Sequence, residues 1–142
     1  MPPAEAMWQP AGPGELENRG SGRVEAVVIE LKSVPTSALG VTPPEALPAT
    51  GGVAASLLID NQRVMVLKQR YSPTAYPASP WHFHPQDAVV VYLRGGYTWL
   101  PYGGWGPYRV RRGDIDIVPA NTLHNFSNAG GDPLEFLVIF PK

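Results

Sequence analysis

The 142-residue sequence contains no cysteine and few charged residues. Without cysteine, disulfide bonds, thiolate nucleophiles and sulfur-ligated metals are excluded, so any bound metal must be held by nitrogen and oxygen ligands. Charged residues make up 16% of the chain and the formal net charge is −1, so the sequence lacks the basic excess that nucleic acids and anionic membranes attract. We therefore expect neither nucleic acid nor a membrane among its partners.

The sequence also lacks long apolar runs and helical periodicity. No apolar stretch approaches the roughly 20 residues that a membrane-spanning helix needs, and the N-terminus lacks the charged-then-apolar pattern of a signal peptide. These absences predict a cytoplasmic protein. The length is that of one domain, and the 17 prolines and 15 glycines indicate many short strands joined by turns.

Short β-branched segments separated by turn residues make up most of the chain. Residues 1–22 have no periodic apolar face and are predicted to form a flexible N-terminal arm, in which Trp8 either docks on protein or stays free. Residues 23–142 are predicted to form one all-β domain of about eight to ten short antiparallel strands, closed into a barrel or jelly roll. The predicted strands are Val24–Leu31, Ala54–Ile59, Val64–Gln69, Ala88–Leu93, Tyr97–Leu100, Tyr108–Val110, Gly113–Val118 and Leu134–Phe140.

The three histidines of the chain carry its strongest chemical signal. His82 and His84 are two residues apart on a predicted strand, where alternate side chains point to the same face. His124 follows much later, within a Gly…Pro…His…Asn pattern. Imidazole is a favoured ligand of Zn, Fe, Ni and Cu, and three protein ligands with open coordination positions are typical of a catalytic site. We predict one divalent metal ion per subunit, held by His82, His84 and His124.

These residues resemble the two sequence motifs of the cupins. The first motif runs Gly-x5-His-x-His-x3-4-Glu-x6-Gly, and the second runs Gly-x5-Pro-x-Gly-x2-His-x3-Asn. The matching positions are His82, His84 and Gly95 in the first motif, and Gly113, Pro119, His124 and Asn128 in the second. The resemblance covers roughly residues 54–140. It implies a single-domain cupin β-barrel, or jelly roll, whose subunits commonly associate as a homodimer.

The sequence departs from the motifs at three positions. Tyr76 replaces the first glycine, and Asn121 replaces the glycine of Pro-x-Gly, where Asn tolerates a left-handed backbone better than most residues. Ala88 replaces the glutamate, which matters most because the usual cupin site has three histidines and one carboxylate. Gln86 and Asp87 are alternative fourth ligands, although Asp87 needs a β-bulge to reach the inner face and Gln86 is a weak ligand. A cupin that has lost its metal is a further alternative.

Gly95 and Gly96 are predicted to turn the strand Ala88–Leu93 back into Tyr97–Leu100. The aromatic residues from this turn to Tyr108, together with Tyr92, are predicted to contribute to a pocket around the metal. The candidate substrate-pocket residues are Ala88, Tyr92, Tyr97, Trp99 and Trp105. Ordinary barrel core together with an oligomer face is the alternative interpretation of this aromatic cluster. Trp105 lies between two glycines and is predicted to sit on a mobile rim that sets substrate choice.

Three neutral ligands leave a metal ion its full positive charge, which favours a small, anionic, chelating substrate. The resemblance implies a non-haem Fe(II) three-histidine dioxygenase or related oxidoreductase, since cupin dioxygenases acting on thiols or diketones use three-histidine iron sites. Zn, Ni, Mn and Cu are the alternative ions. A redox-silent Zn lyase, isomerase or cyclase and a non-catalytic ligand-binding cupin are the alternative functions.

Overall fold

In a computed structural model, the chain folds into two antiparallel sheets. The structure describes residues 5–10, 12, 14, 17–32, 52–73, 81–99 and 106–142. The seven strands within these ranges are β1 (Val53–Asp60), β2 (Val64–Tyr71), β3 (Ala88–Arg94), β4 (Gly96–Trp99), β5 (Pro107–Val110), β6 (Ile115–Val118) and β7 (Leu134–Pro141). The same ranges contain no helix, and hence none long and apolar enough to cross a membrane.

Five strands form the larger sheet in the order β1-β2-β7-β3-β6, and β4 pairs with β5 in the smaller one. All of these pairs are antiparallel. An isolated bridge between Thr98 and Asn128 joins β4 to the segment before β7. The prediction of an all-β barrel of short antiparallel strands is therefore confirmed.

The turn residues Asp60, Asn61 and Gln62 predict a hairpin between two strands, and β1 and β2 form it. Oδ1 of Asn61 accepts hydrogen bonds from the backbone N–H groups of Arg63 (2.8 Å) and Val64 (3.0 Å). An asparagine side chain that bonds to the backbone two or three residues later reproduces a backbone turn, which explains why this short segment reverses the chain.

The main core lies between the two sheets. It contains inward-facing residues of β2, β3, β6 and β7 together with Val110 of β5, so both sheets share one apolar interior. Its largest fully buried side chains are Tyr71, Tyr92, Phe136 and Phe140. The Tyr71 and Phe136 rings meet edge to face with centroids 5.0 Å apart, an arrangement that aromatic pairs favour.

A second apolar cluster covers the outer face of the larger sheet. It comprises Val64, Val66, Val91 and Ile139, and residues Ala6 and Leu31 from the N-terminal region pack against it. Part of the segment before β1 therefore lies on this face. The predicted boundary between an arm at 1–22 and a domain at 23–142 stays a prediction.

The predicted first strand, Val24–Leu31, is wrong. These residues form no strand, and the Val24 and Val28 side chains are 66% and 74% exposed. β-branched composition favours an extended backbone, but a strand also needs a neighbour for its N–H and C=O groups, and none of the described strands pairs with this segment.

The predicted turn at Gly95 and Gly96 does not fold β4 back onto β3. β3 lies between β7 and β6, whereas β4 pairs with β5, so the chain crosses from one sheet to the other at this point. A Cβ atom on Gly95 would lie 3.0 Å from the carbonyl oxygen of Val110. Glycine therefore permits a close approach of two backbone segments at the crossing.

Candidate metal centre

The backbone places His82 and His124 directly opposite each other in an isolated antiparallel bridge. The His82 N–H donates to the His124 carbonyl oxygen (2.9 Å), and the His124 N–H donates to the His82 carbonyl oxygen (2.8 Å). Residues directly opposite in an antiparallel pair carry their side chains on the same face. As a result the two imidazole centroids are 4.4 Å apart.

His84 joins them because side chains alternate along its segment. Phe83 is 61% exposed, whereas His84 on the opposite face is buried. The His84 ring centroid lies 4.9 Å from the ring centroids of both other histidines. The candidate ligand atoms of the three residues all lie within 4.8 Å of one another. Nitrogens that share one ion at about 2.1 Å lie about 3 Å apart, so small side-chain adjustments suffice to bring them onto a single ion.

A hydrogen bond orients the His124 ring. Its Nδ1 lies 2.8 Å from the carbonyl oxygen of Thr122, which can only accept, so Nδ1 carries the proton and donates. Nε2 then keeps its lone pair for a ligand bond, as is usual for metal-binding histidines held by an outer partner. The sequence gives no sign of this role for Thr122, because it is exerted through the main chain.

Two contacts hold the loop before His124 against the His84 segment. The Asn121 N–H donates to the His84 carbonyl oxygen (2.7 Å), and Asn121 has a φ of 58°, the left-handed conformation expected at this glycine position. Oδ1 of Asp87 accepts a hydrogen bond from the Ala120 N–H (2.8 Å), and the Asp87 residue is exposed. Asp87 therefore fastens the loop, and its carboxylate is engaged away from the histidine rings.

Aromatic core residues pack against two of the histidines. The Phe140 ring centroid lies 4.8 Å from that of His84, and the Phe126 ring centroid lies 6.0 Å from that of His124. Burial lowers the pKa of His84 from 6.5 to about 4, and electrostatic repulsion from His82 and His124 contributes to the same shift. Burial also lowers the pKa of His124, although the hydrogen bond to Thr122 opposes the shift. Both rings are neutral near pH 7, the form that binds a metal.

These shifts predict that the metal-free protein loses stability as the pH falls from about 6.5 towards 4. In that interval the unfolded His84 takes up a proton while the folded, buried ring does not, since its pKa is lowered to about 4. The unfolded state then binds more protons, so the free energy of unfolding falls with falling pH. Denaturant titrations of metal-free protein across this range measure the slope, and a shallower slope is expected for His84→Gln. Equal slopes for the two proteins would contradict the prediction.

The predicted pocket residues of β3 lie on the inner face. Ala88 and Tyr92 are each 1% exposed. Ala88 follows the histidine segment directly, whereas Tyr92 lies further along the strand and its hydroxyl donates to Oδ2 of Asp116 (2.8 Å). Burial raises the pKa of Tyr92 well above its ordinary range, so this hydroxyl keeps its proton. Tyr108 also donates to Asp116, completing a polar cluster that sequence reasoning did not identify.

The aromatic residues of β4 have the opposite orientation. Thr98 is fully buried, whereas Tyr97 on the other face is 47% exposed. Trp99 has the same strand parity as Tyr97 and is half-buried. The structure therefore does not place Tyr97 in the predicted pocket, because Thr98 is the residue whose side chain points inward on β4 and neighbouring side chains point to opposite faces. Trp105 lies outside the described residues.

Comparison with known proteins identifies the family of this chain. The family model described as Cupin domain (Cupin_2) matches residues 69–140, just over half of the chain. The chain belongs to the cupin family. In this cupin the three histidines form a group that can hold one metal ion. The donor set fits a divalent cation, since the imidazoles converge and the buried pair is neutral near pH 7.

Related proteins span several roles. A cupin domain from Bordetella pertussis Tohama I is 30% identical, with a TM-score of 0.52 over 64% of this chain and 94% of that one. The polyketide cyclase RemF from Streptomyces resistomycificus is 25% identical, with a TM-score of 0.53 over 66% of this chain and 68% of that one. The HTH-type transcriptional activator RhaR of Pectobacterium carotovorum is 34% identical over 80 residues, 55% of this chain. The matched region spans 25% of that activator's length.

Proposed function

We propose that this cupin is a mononuclear metal enzyme acting on a small, chelating organic substrate. The observation that carries the proposal is the convergence of three imidazoles, whose candidate ligand atoms lie within 4.8 Å of one another, with no carboxylate of the described residues in the group. Three protein ligands leave coordination positions open, as in catalytic sites. Because the ligands are neutral, the ion's charge is uncompensated and favours an anionic substrate.

The chain's own residues would hold and orient that substrate. A bound ion supplies Lewis-acid or redox chemistry at the centre. Ala88 places a short, buried side chain on the inner face, and the rings of Phe140 and Phe126 make the surroundings of His84 and His124 apolar. Thr122 fixes the ring of His124, so the direction of its free nitrogen is set before metal or substrate arrives.

The first reaction that we propose is that of a non-haem Fe(II) dioxygenase. Its support is the resemblance to cupin dioxygenases with three-histidine iron sites. The test is to remove metal from the purified protein, restore Fe(II) or Zn(II) separately, and follow O2 consumption with thiol and diketone substrates. We expect O2 uptake that matches substrate loss with Fe(II) and no uptake with Zn(II).

A redox-silent cyclase, lyase or isomerase is the second candidate. The similarity to the polyketide cyclase RemF, at 25% identity, supports it. In that case Zn(II) would sustain turnover without O2 consumption.

A ligand-binding cupin without turnover is the third candidate, supported by the match to a transcriptional activator. Saturable ligand binding without product in either metal form would favour it.

The cytoplasmic location and the homodimer remain proposals. The outer face of the larger sheet supports an interface between two copies. Ile115 and Ile117 of β6 are 50% and 61% exposed there and pair with Val91 and Val89 of β3, which belong to the outer apolar cluster or pack against it. Burying these exposed side chains against a second copy would remove apolar surface from water.

A further inference from the structure

Gln86 carries a polar atom for which the described part of the chain provides no partner. Its side-chain Oε1 is buried and makes no hydrogen bond. Folded proteins rarely leave a buried carbonyl-type oxygen without a donor or a cation. If the oxygen and nitrogen of the amide were exchanged, the buried atom would be an unpartnered donor at the same place. No described residue therefore satisfies this atom, which leaves it available to a bound cation.

The exposure pattern of the segment indicates that Gln86 lies on the side of the histidines. Exposure alternates between positions 82 and 88, with Phe83, Pro85 and Asp87 exposed and the residues between them buried or half-buried. Gln86 thus lies between His84 and Ala88 on the inner face. A glutamine side chain is about as long as a histidine side chain, so its oxygen can approach the same ion.

Asp87, the other alternative to the missing glutamate, is engaged elsewhere. Its residue is exposed, and its Oδ1 accepts the Ala120 N–H at 2.8 Å. To reach the inner face, Asp87 would have to give up this bond and reverse the alternation of its segment. The structure thus distinguishes two neighbouring residues that the sequence leaves as alternative fourth ligands.

We infer that the amide oxygen of Gln86 is the fourth protein donor of the metal centre, replacing the glutamate that other cupins carry at the position of Ala88. This inference rests on the proposed metal site. An amide oxygen is a neutral, hard donor, so three imidazoles and one amide keep the ion's full charge and favour Fe(II), Mn(II) or Zn(II) over Cu(I). It binds more weakly than a carboxylate, which leaves a substrate able to displace it.

Gln86→Leu tests the inference in the full-length protein. The variant should bind Zn(II) about tenfold more weakly than the wild type in a competition titration, and its Co(II) absorption spectrum should change because the donor set changes. Without metal, the variant should unfold at a higher denaturant concentration than the wild type, because an unpartnered buried acceptor has been removed. Gln86→Glu should restore Zn(II) affinity to the wild-type level or above.

Gln69→Leu is the matched control. Gln69 is also a buried glutamine, but its Oε1 accepts a hydrogen bond from the Tyr71 hydroxyl at 3.2 Å. Its replacement should lower the denaturation midpoint with and without metal and leave Zn(II) affinity unchanged.

Three results would overturn the inference in distinguishable ways. Equal Zn(II) affinity and an unchanged Co(II) spectrum in Gln86→Leu would remove Gln86 from the donor set while leaving the three-histidine site intact. A lower denaturation midpoint of metal-free Gln86→Leu would assign the residue to packing. A wild-type protein that binds neither Zn(II) nor Co(II) would refute the proposed function, and the inference with it.

Discussion

His82→Ala should lower the affinity for a divalent ion by at least about 100-fold while the barrel stays folded. The variant loses one of three ligands that converge within 4.8 Å, and removing a group that merely supports a ligand already costs 10- to 100-fold in metal affinity. His82 is half-buried, so the free energy of unfolding of the metal-free protein should fall by only about 1 kcal/mol. Metal analysis and Zn(II) titration measure the loss of binding, and denaturant unfolding measures the change in stability.

Phe83→Ala is the control for this experiment. Phe83 lies between two of the histidines on the opposite face and is 61% exposed. Its replacement should leave Zn(II) affinity unchanged, because its side chain points away from the imidazoles. If His82→Ala bound Zn(II) as tightly as the wild type, the three-histidine site would be excluded.

Ala88→Glu should bind metal more tightly and turn substrate over more slowly. Ala88 is 1% exposed and follows Gln86 on the inner face, so an introduced carboxylate supplies the fourth ligand of other cupins. An anionic ligand strengthens binding but fills a coordination position and weakens the Lewis acid. Without metal, an unpaired buried carboxylate should lower the free energy of unfolding by about 3 kcal/mol, and metal should reverse the loss.

Ala88→Leu separates charge from bulk in this comparison. It adds volume at the same buried position, so it should lower the free energy of unfolding with and without metal and give no gain in Zn(II) affinity. Zn(II) titrations, unfolding curves and turnover rates of both variants show whether the charge or the bulk of the introduced side chain causes the effect. Wild-type turnover together with coordination by the introduced carboxylate would show that substrate does not use that position.

Local sequence signals predicted much of the fold because the interactions concerned are local. The hairpin after β1 depends on Asn61, whose side chain bonds to backbone groups two and three residues away. Asn121 takes the left-handed conformation that its place in the second histidine motif requires. His82 and His84 share a side because neighbouring residues in an extended segment alternate, a property of the backbone itself.

The sequence could not decide which segments and side chains find partners. Val24–Leu31 has strand composition but no partner among the described strands, and Tyr97 lies outside because Thr98 takes the inward position of β4.

The sequence by itself determined an all-β cupin with two histidines on one face of an extended segment, since alternation and motif spacing are carried by short stretches of chain. Only the tertiary structure decided that His124 lies opposite His82, because that bridge joins segments far apart in sequence. It also decided that Asp87 bonds to the loop before His124 and that the amide oxygen of Gln86 is buried without a partner among the described residues. Both outcomes depend on which backbone groups the folded chain brings near each side chain, and residue type and spacing do not specify that.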